Sequence, residues 1–241
     1  MRRVFFLFIL LANFQLAITR QIDINNDSVP ESFFITRSRD EYLNKLVSMP
    51  FGIKRDEPVD SIIDKIGNFL LNYRPNNSYN DDYYALESNL QAFYSLREGG
   101  YGIGAILIDS SGRIIARNHN RQIQRHRSDL HGEMTLLTDF EESAESAKYM
   151  NLYLYKPGLT VFSSAEPCPM CFIRLSTAGV DTKYCTSGTD DGMVTRINCL
   201  PPYWSALASK HKWVKANSSP LMQMTAHLLF YSFYLDNRGP E

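Results

Sequence analysis

Between residues 58 and 73 the apolar positions Ile62, Ile63, Ile66, Phe69, Leu70 and Tyr73 recur three and four apart, which places them along one stripe of a helix. The stretch from Glu31 to Met49 carries a weaker pattern of the same kind and is expected to form a single helix. Arg74-Pro75-Asn76-Asn77-Ser78 then breaks the periodicity with residues that favour turns, so a boundary falls at residue 78. Beyond it, helix-spaced and strand-like runs alternate. Tyr83 to Leu96 predicts a helix closed by Gly99-Gly100. Gly102 to Ile108 and Arg113 to Arg117 read as strands joined through Asp109-Ser110-Ser111-Gly112 in a hairpin. Leu130 to Ser146 predicts a helix lying on a sheet through Met134, Leu136, Leu137 and Phe140.

The second half continues in the same manner. Leu159 to Ser163 is a short strand; Pro167 and Pro169 sit where a first helical turn accepts proline, and that helix runs to Gly179. Thr182 to Ser187 supplies another strand, Tyr203 to Lys210 a helix, Trp213 to Ala216 an edge strand and Leu221 to Tyr234 a final helix. This order predicts an α/β sandwich, a sheet covered by helices. With 44% hydrophobic residues over 241 positions, the chain buries a sizeable core in one domain plus an extension.

At the amino end, Arg2-Arg3 precede the apolar run Val4 to Ala12, which Asn13 and Gln15 interrupt. The run is short of the roughly 20 residues of a membrane span and reads as a secretory signal, with an uncleaved anchor as the alternative. The expected organisation is a signal peptide over 1–20, an N-terminal helical extension over 21–78, and the main domain over 79–241. The expected location is exported, periplasmic or secreted. Net charge is −1, from 25 basic and 26 acidic residues, so no broad field holds a long polyanion and nucleic acid is not favoured as a partner. Four cysteines exclude a disulfide-stapled scaffold. Two of them, Cys185 and Cys199, are open to two readings, a bridge or two separate small hydrophobes.

The chemistry concentrates in His131-Gly132-Glu133 and Pro167-Cys168-Pro169-Met170-Cys171. An imidazole at one helix start and two thiols one turn apart at another make three soft ligands. Structural zinc usually takes four protein ligands, whereas catalytic zinc leaves the fourth position to water, which it acidifies to a pKa of about 7. Glu133 lies two residues past His131, out of the same ligand direction but within reach of such a water, as a proton shuttle. Helix starts also favour thiolate over thiol. The 37 positions from His131 to Cys168 hold one helix, a loop and one strand, so the two helix ends can meet at one edge of the sheet.

Together and in this order, the two motifs resemble the H-x-E and P-C-x-x-C signature of the cytidine deaminase-like superfamily. Leu130-His131-Gly132-Glu133 looks most like fungal cytosine deaminases, and Glu166-Pro167-Cys168-Pro169-Met170-Cys171 like guanine and tRNA adenosine deaminases. The resemblance covers about residues 80 to 200. It implies a three-layer α/β/α sandwich, a Zn2+ cofactor held by His131, Cys168 and Cys171, and Glu133 as general acid and base. Asn120, eleven positions before His131, matches the family's asparagine that hydrogen-bonds the base. The implied activity is hydrolytic deamination of a nucleobase or nucleoside, by an enzyme whose relatives commonly form homodimers. The alternatives are a deaminase acting on nucleotide, RNA or single-stranded DNA, and a non-enzymatic module that zinc stabilises.

Other candidates carry plainer expectations. His119, His126, His211 and His227 read as surface or packing residues, with His119 a neighbour of Asn120. The loop Arg121, Arg125, His126 and Arg127 reads as a solvated face rather than a phosphate contact. Asp190 and Asp191 read as a solvated turn. Among the aromatics Phe172, Trp204 and Trp213, only Phe172, one residue past a ligand, is placed to pack and also to stack on a base.

Overall fold

The computed structural model describes residues 29–152, 154–187 and 192–235. The signal-peptide reading of residues 1–20 and the turn at Asp190 and Asp191 lie outside them. In chain order the elements are α1 (Arg39–Ser48), α2 (Val59–Asn72), α3 (Asp82–Arg97), β1 (Gly104–Ile108), β2 (Ile114–His119), α4 (Gln122–Arg125), α5 (Gly132–Glu141), β3 (Met150–Asn151), β4 (Leu154–Tyr155), β5 (Thr160–Ala165), α6 (Pro169–Ala178), β6 (Asp181–Thr186), α7 (Pro202–Ala208), β7 (Trp213–Lys215) and α8 (Pro220–Phe230). No helix among the described residues is long and apolar enough to cross a membrane.

Two expected helices are shorter than their periodicity suggests. The stretch from Glu31 to Met49 is a 3-10 turn, Glu31–Phe34, followed by α1. Ser38 stays extended and its hydroxyl accepts from the Glu41 amide at 3.2 Å, so the chain is capped there instead of running through. The helix expected from Leu130 begins at Gly132 because His131 keeps an extended backbone, and it closes at Glu141 before a separate turn at Ser146–Lys148. The hairpin turn is as expected. The Asp109 carboxylate accepts from the Ser111 and Arg113 amides, and Gly112 takes a positive φ of 84°.

Five strands form one sheet in the order β2-β1-β5-β6-β7. β1 runs antiparallel to both β2 and β5, while β5, β6 and β7 are parallel. The carboxyl end of β5 therefore lies beside the amino end of β1, with Ala105 opposite Ser163. Alternate residues of β1 point to opposite faces, as the two-residue period requires. Ile106 and Ile108 join one core cluster and Ala105 and Leu107 the other. The second cluster is closed by Leu136, Leu137 and Phe140 of α5 and Leu175 and Ala178 of α6. The first is closed by α3 and α8, and by the N-terminal helices, whose Leu46, Ile62, Ile66 and Leu70 bury into it. The result is an α/β/α arrangement with the extension fused to one helical layer. Each fully buried large aliphatic side chain contributes about 1.5–3 kcal/mol.

Buried polar anchors fasten the extension. Asp82, fully buried, accepts from Tyr73 Oη at 2.7 Å, the Asn76 amide at 2.8 Å and the Ser219 amide at 2.7 Å. It thus joins the end of α2 to the starts of α3 and α8. Asp82→Ala orphans two buried main-chain donors and leaves Tyr73 Oη only its 3.0 Å contact with Ser219 Oγ, and should cost about 3 kcal/mol, read as a fall in urea midpoint; an unchanged midpoint would contradict this role.

Another anchor is His227, buried on α8, whose Nε2 shares a 2.8 Å hydrogen bond with Thr36 Oγ1. Phe33, Phe34 and Tyr231 surround its ring. Burial, helped by the Lys45 cation, pushes its pKa down to about 3 from an ordinary 6.5. Because the folded value is depressed, the unfolded chain binds more protons between pH 6.5 and 3, so stability falls as pH drops through that window. Thermal melts from pH 7 to 4 should show a loss on the order of a few kcal/mol, reduced in His227→Phe.

Candidate zinc centre

His131 and Cys168 occupy equivalent places: each is the residue before a helix, α5 or α6, with an extended backbone. Both helices begin at the sheet edge where β5 ends and β1 starts. The His131 Nδ1 atom stands 3.5 Å from Cys168 Sγ, and the ligand atoms of His131, Cys168 and Cys171 all lie within 4.8 Å of one another. Tetrahedral zinc, with bonds of about 2.0–2.3 Å, needs its ligand atoms about 3.3–3.8 Å apart. The three side chains therefore fit zinc with small adjustments, and two thiols with one imidazole are its preferred donors.

The electrostatics agree with the geometry. A hydrogen bond from the Cys171 thiol, together with His131, holds Cys168 down to about 4, which favours its thiolate form. Cys171 moves the other way, well above a usual thiol, because it donates to Cys168 and is buried. A cation binding there displaces that proton. Glu133 sits in the first turn of α5, only 3% exposed. Its Oε1 accepts from Ser163 Oγ at 3.0 Å, and the Cys171 thiol is within hydrogen-bonding reach of it. Burial raises the carboxyl pKa above its ordinary value, with the Cys168 charge acting in the same direction.

Gly132, between His131 and Glu133, sits at a close approach. A Cβ there would lie 3.2 Å from the Ile103 carbonyl, the same oxygen that accepts from the Asn120 amide at 2.9 Å. Asn120 is thereby packed beside the start of α5. Its side chain is engaged locally: Oδ1 accepts from the Gln122 amide at 3.0 Å and Nδ2 donates to Gln122 Oε1 at 2.7 Å.

Other candidates fall elsewhere. Phe172 is fully buried with its ring stacked 4.0 Å from that of Trp213, so it packs and does not present a face to a base. His119 is buried and paired with Glu98 at 3.1 Å. Arg121 and Arg127 are tied to Asp139 and Asp129, while Arg125 and His126 are exposed. Cys185 and Cys199 are not bridged. Cys185 is buried on β6 against Ser218 and the Met222 carbonyl, whereas Cys199 is exposed at the end of a 3-10 helix, which removes the disulfide reading. Two polar residues of the site escaped sequence reasoning. Ser163 is signalled only by strand alternation, as a hydroxyl on the α5 face of β5; Glu166 stands in the thiol motif, but its sequence context gives it no role at the site.

Comparison with known proteins points to the same segment of the chain. The family model described as cytidine and deoxycytidylate deaminase zinc-binding region matches residues 79–187. The cytosine deaminase of Candida albicans is 37% identical over 81 residues, 34% of this chain and 49% of the relative. The tRNA-specific adenosine deaminase of Bacillus subtilis is 34% identical over 91 residues, 38% of this chain and 52% of the relative. The chain thus spans about half the length of each. Among solved structures, NE0047 in complex with 2,6-diaminopurine superposes with a TM-score of 0.50 at 21% identity, over 72% of this chain and 92% of that one, a likeness of fold. The match over residues 79–187 takes in Asn120, His131, Glu133, Cys168 and Cys171, so this segment is similar to the cytidine and deoxycytidylate deaminase zinc-binding region.

Proposed function

We propose that the protein is a zinc-dependent hydrolytic deaminase of a nucleobase or nucleoside. The observation that carries this reading is the buried Glu133 carboxylate beside a three-ligand set. A purely structural zinc site closes its fourth position with protein and has no use for a carboxylate there.

Zinc bound by His131, Cys168 and Cys171 would supply Lewis acidity and a water that ionises near neutral pH. Glu133 takes the proton released as water adds to the amine-bearing ring carbon and returns protons to the ring nitrogen and the leaving amine. Water enters, ammonia leaves, and a carbonyl replaces the amine. Ser163 holds Glu133 in place through Oε1, leaving the second carboxylate oxygen for the reaction. Asn120 orients the ring. The activities named for the relatives, on cytosine and on tRNA adenosine, both concern an amine on an electron-poor ring carbon, and the net charge of −1 favours a small substrate over a polyanion. The Arg2-Arg3 and Val4 to Ala12 pattern adds export to this reading. The mature N-terminus measured by mass spectrometry in the native host tests it, and an intact Met1 in the cytosol would refute it.

The substrate is found by an ammonia-release screen of zinc-loaded protein against cytosine, guanine, adenine, their nucleosides and tRNA. Release from a base or nucleoside supports the proposal; release from tRNA alone moves the substrate class to RNA; no release from any, with zinc fully bound, refutes the enzymatic reading.

A further inference from the structure

The three ligands are not held equally. Cys171 is locked inside the first turn of α6 at 1% exposure. The His131 carbonyl accepts from both the amide and the hydroxyl of Thr135, each at 2.9 Å, so its helix fixes it. Cys168 precedes its helix in the same way, its carbonyl accepting the Phe172 amide at 2.8 Å, but it is partly exposed and its placement depends also on the residues before it.

Those residues are gripped from two sides. The Glu166 amide donates to the Thr186 carbonyl of β6 at 2.8 Å, and the Pro167 carbonyl accepts from the Met193 amide at 3.0 Å. The Glu166 carboxylate, only 5% exposed, accepts the Val194 amide at 2.9 Å. The main chain is wrapped so closely round it that a Cβ on Gly192 would stand 2.4 Å from the carboxylate carbon and 2.6 Å from each oxygen. Met193, in the same turn, is buried against Phe172, the residue that follows Cys171. A carboxylate taken out of water is retained only where it receives good hydrogen bonds. Here it stitches a distant turn to the segment that leads into Cys168.

We propose that Glu166 is a positioning residue of the zinc centre: by holding the main chain of Gly192–Val194, it fixes where the Cys168 thiolate stands. The inference rests on the metal assignment above and goes beyond it, since Glu166 is neither ligand nor proton carrier.

Cobalt(II) is the probe, because its visible spectrum reports thiolate ligation without any turnover. Glu166→Ala should weaken Co(II) binding by roughly 10–100-fold, as loss of a residue that orients a ligand does, and should alter the thiolate-to-cobalt band. Glu166→Gln, which keeps an acceptor for Val194, should restore affinity to within about threefold. Gly192→Ala keeps Glu166 but forces the turn off the carboxylate and should reproduce the alanine variant's spectrum; it carries the test should Glu166→Ala not fold. Tyr42→Phe, which removes the 2.9 Å hydrogen bond to the Leu228 carbonyl in the other core, controls for stability loss and should leave the spectrum unchanged. Wild-type Co(II) affinity and spectrum in Glu166→Ala or Gly192→Ala, or the same change in Tyr42→Phe, would overturn the proposal. Failure of the wild-type protein to bind Co(II) would overturn the metal assignment itself, and this inference with it.

Discussion

Glu133→Ala is expected to lower ammonia release by about a thousandfold or more while bound zinc stays at the wild-type level. The carboxylate is the proton carrier in the proposed reaction but donates nothing to the metal, so chemistry and metal content separate. Its removal leaves Ser163 Oγ without the 3.0 Å partner and opens a small polar space that water can occupy, so the fold should lose little. Glu133→Gln sharpens the result: it preserves shape and the Ser163 contact but not proton exchange, and should be as slow as the alanine variant. Steady-state ammonia assays with zinc analysis of the same preparations check both. Equal rates in variant and wild type would remove Glu133 from the mechanism.

Cys171→Ala should weaken zinc binding by roughly a hundredfold or more. Cys171 is the buried ligand, one helical turn from Cys168 and inside the packed start of α6, so no neighbouring side chain replaces it. Zinc that binds the folded state stabilises it by about 2.7 kcal/mol at a hundred times its dissociation constant. Chelator should therefore lower the melting temperature of the wild-type protein and leave that of Cys171→Ala unchanged. A chelator-sensitive melt in the variant would show that the metal sits elsewhere.

The zinc centre was legible because its parts are local. A histidine and a cysteine each standing just before an apolar helix, and a second thiol one turn on, define ligand directions within a few residues. The α/β alternation between them then brings the two helix starts to one sheet edge. The same locality explains the agreement of the Asp109 to Gly112 turn. What escaped depends on partners far along the chain. The apolar stripe of α2 announces a buried face, yet nothing in it names α3, where Phe93 lies against Gly67; nor does any local signal show that Tyr42, Thr36 and Asp82 reach to α8 across more than a hundred positions. Phe172 looks available to a base until Trp213 is found against it. The single helix expected over Glu31 to Met49 failed on one capping serine, a short-range signal outweighed by the apolar count around it. Glu166 is the clearest case: its role lies in the turn at Gly192 to Val194, which no spacing rule connects to the thiol motif.

The central claim is a zinc ion with three protein ligands and one open position, and X-ray absorption at the zinc edge of the loaded protein tests it most directly. The account predicts two sulfur neighbours at about 2.3 Å and two nitrogen or oxygen neighbours at about 2.0–2.1 Å, one of the latter exchanging when a substrate analogue binds. Three or four sulfur neighbours, or a shell that no analogue perturbs, would contradict it.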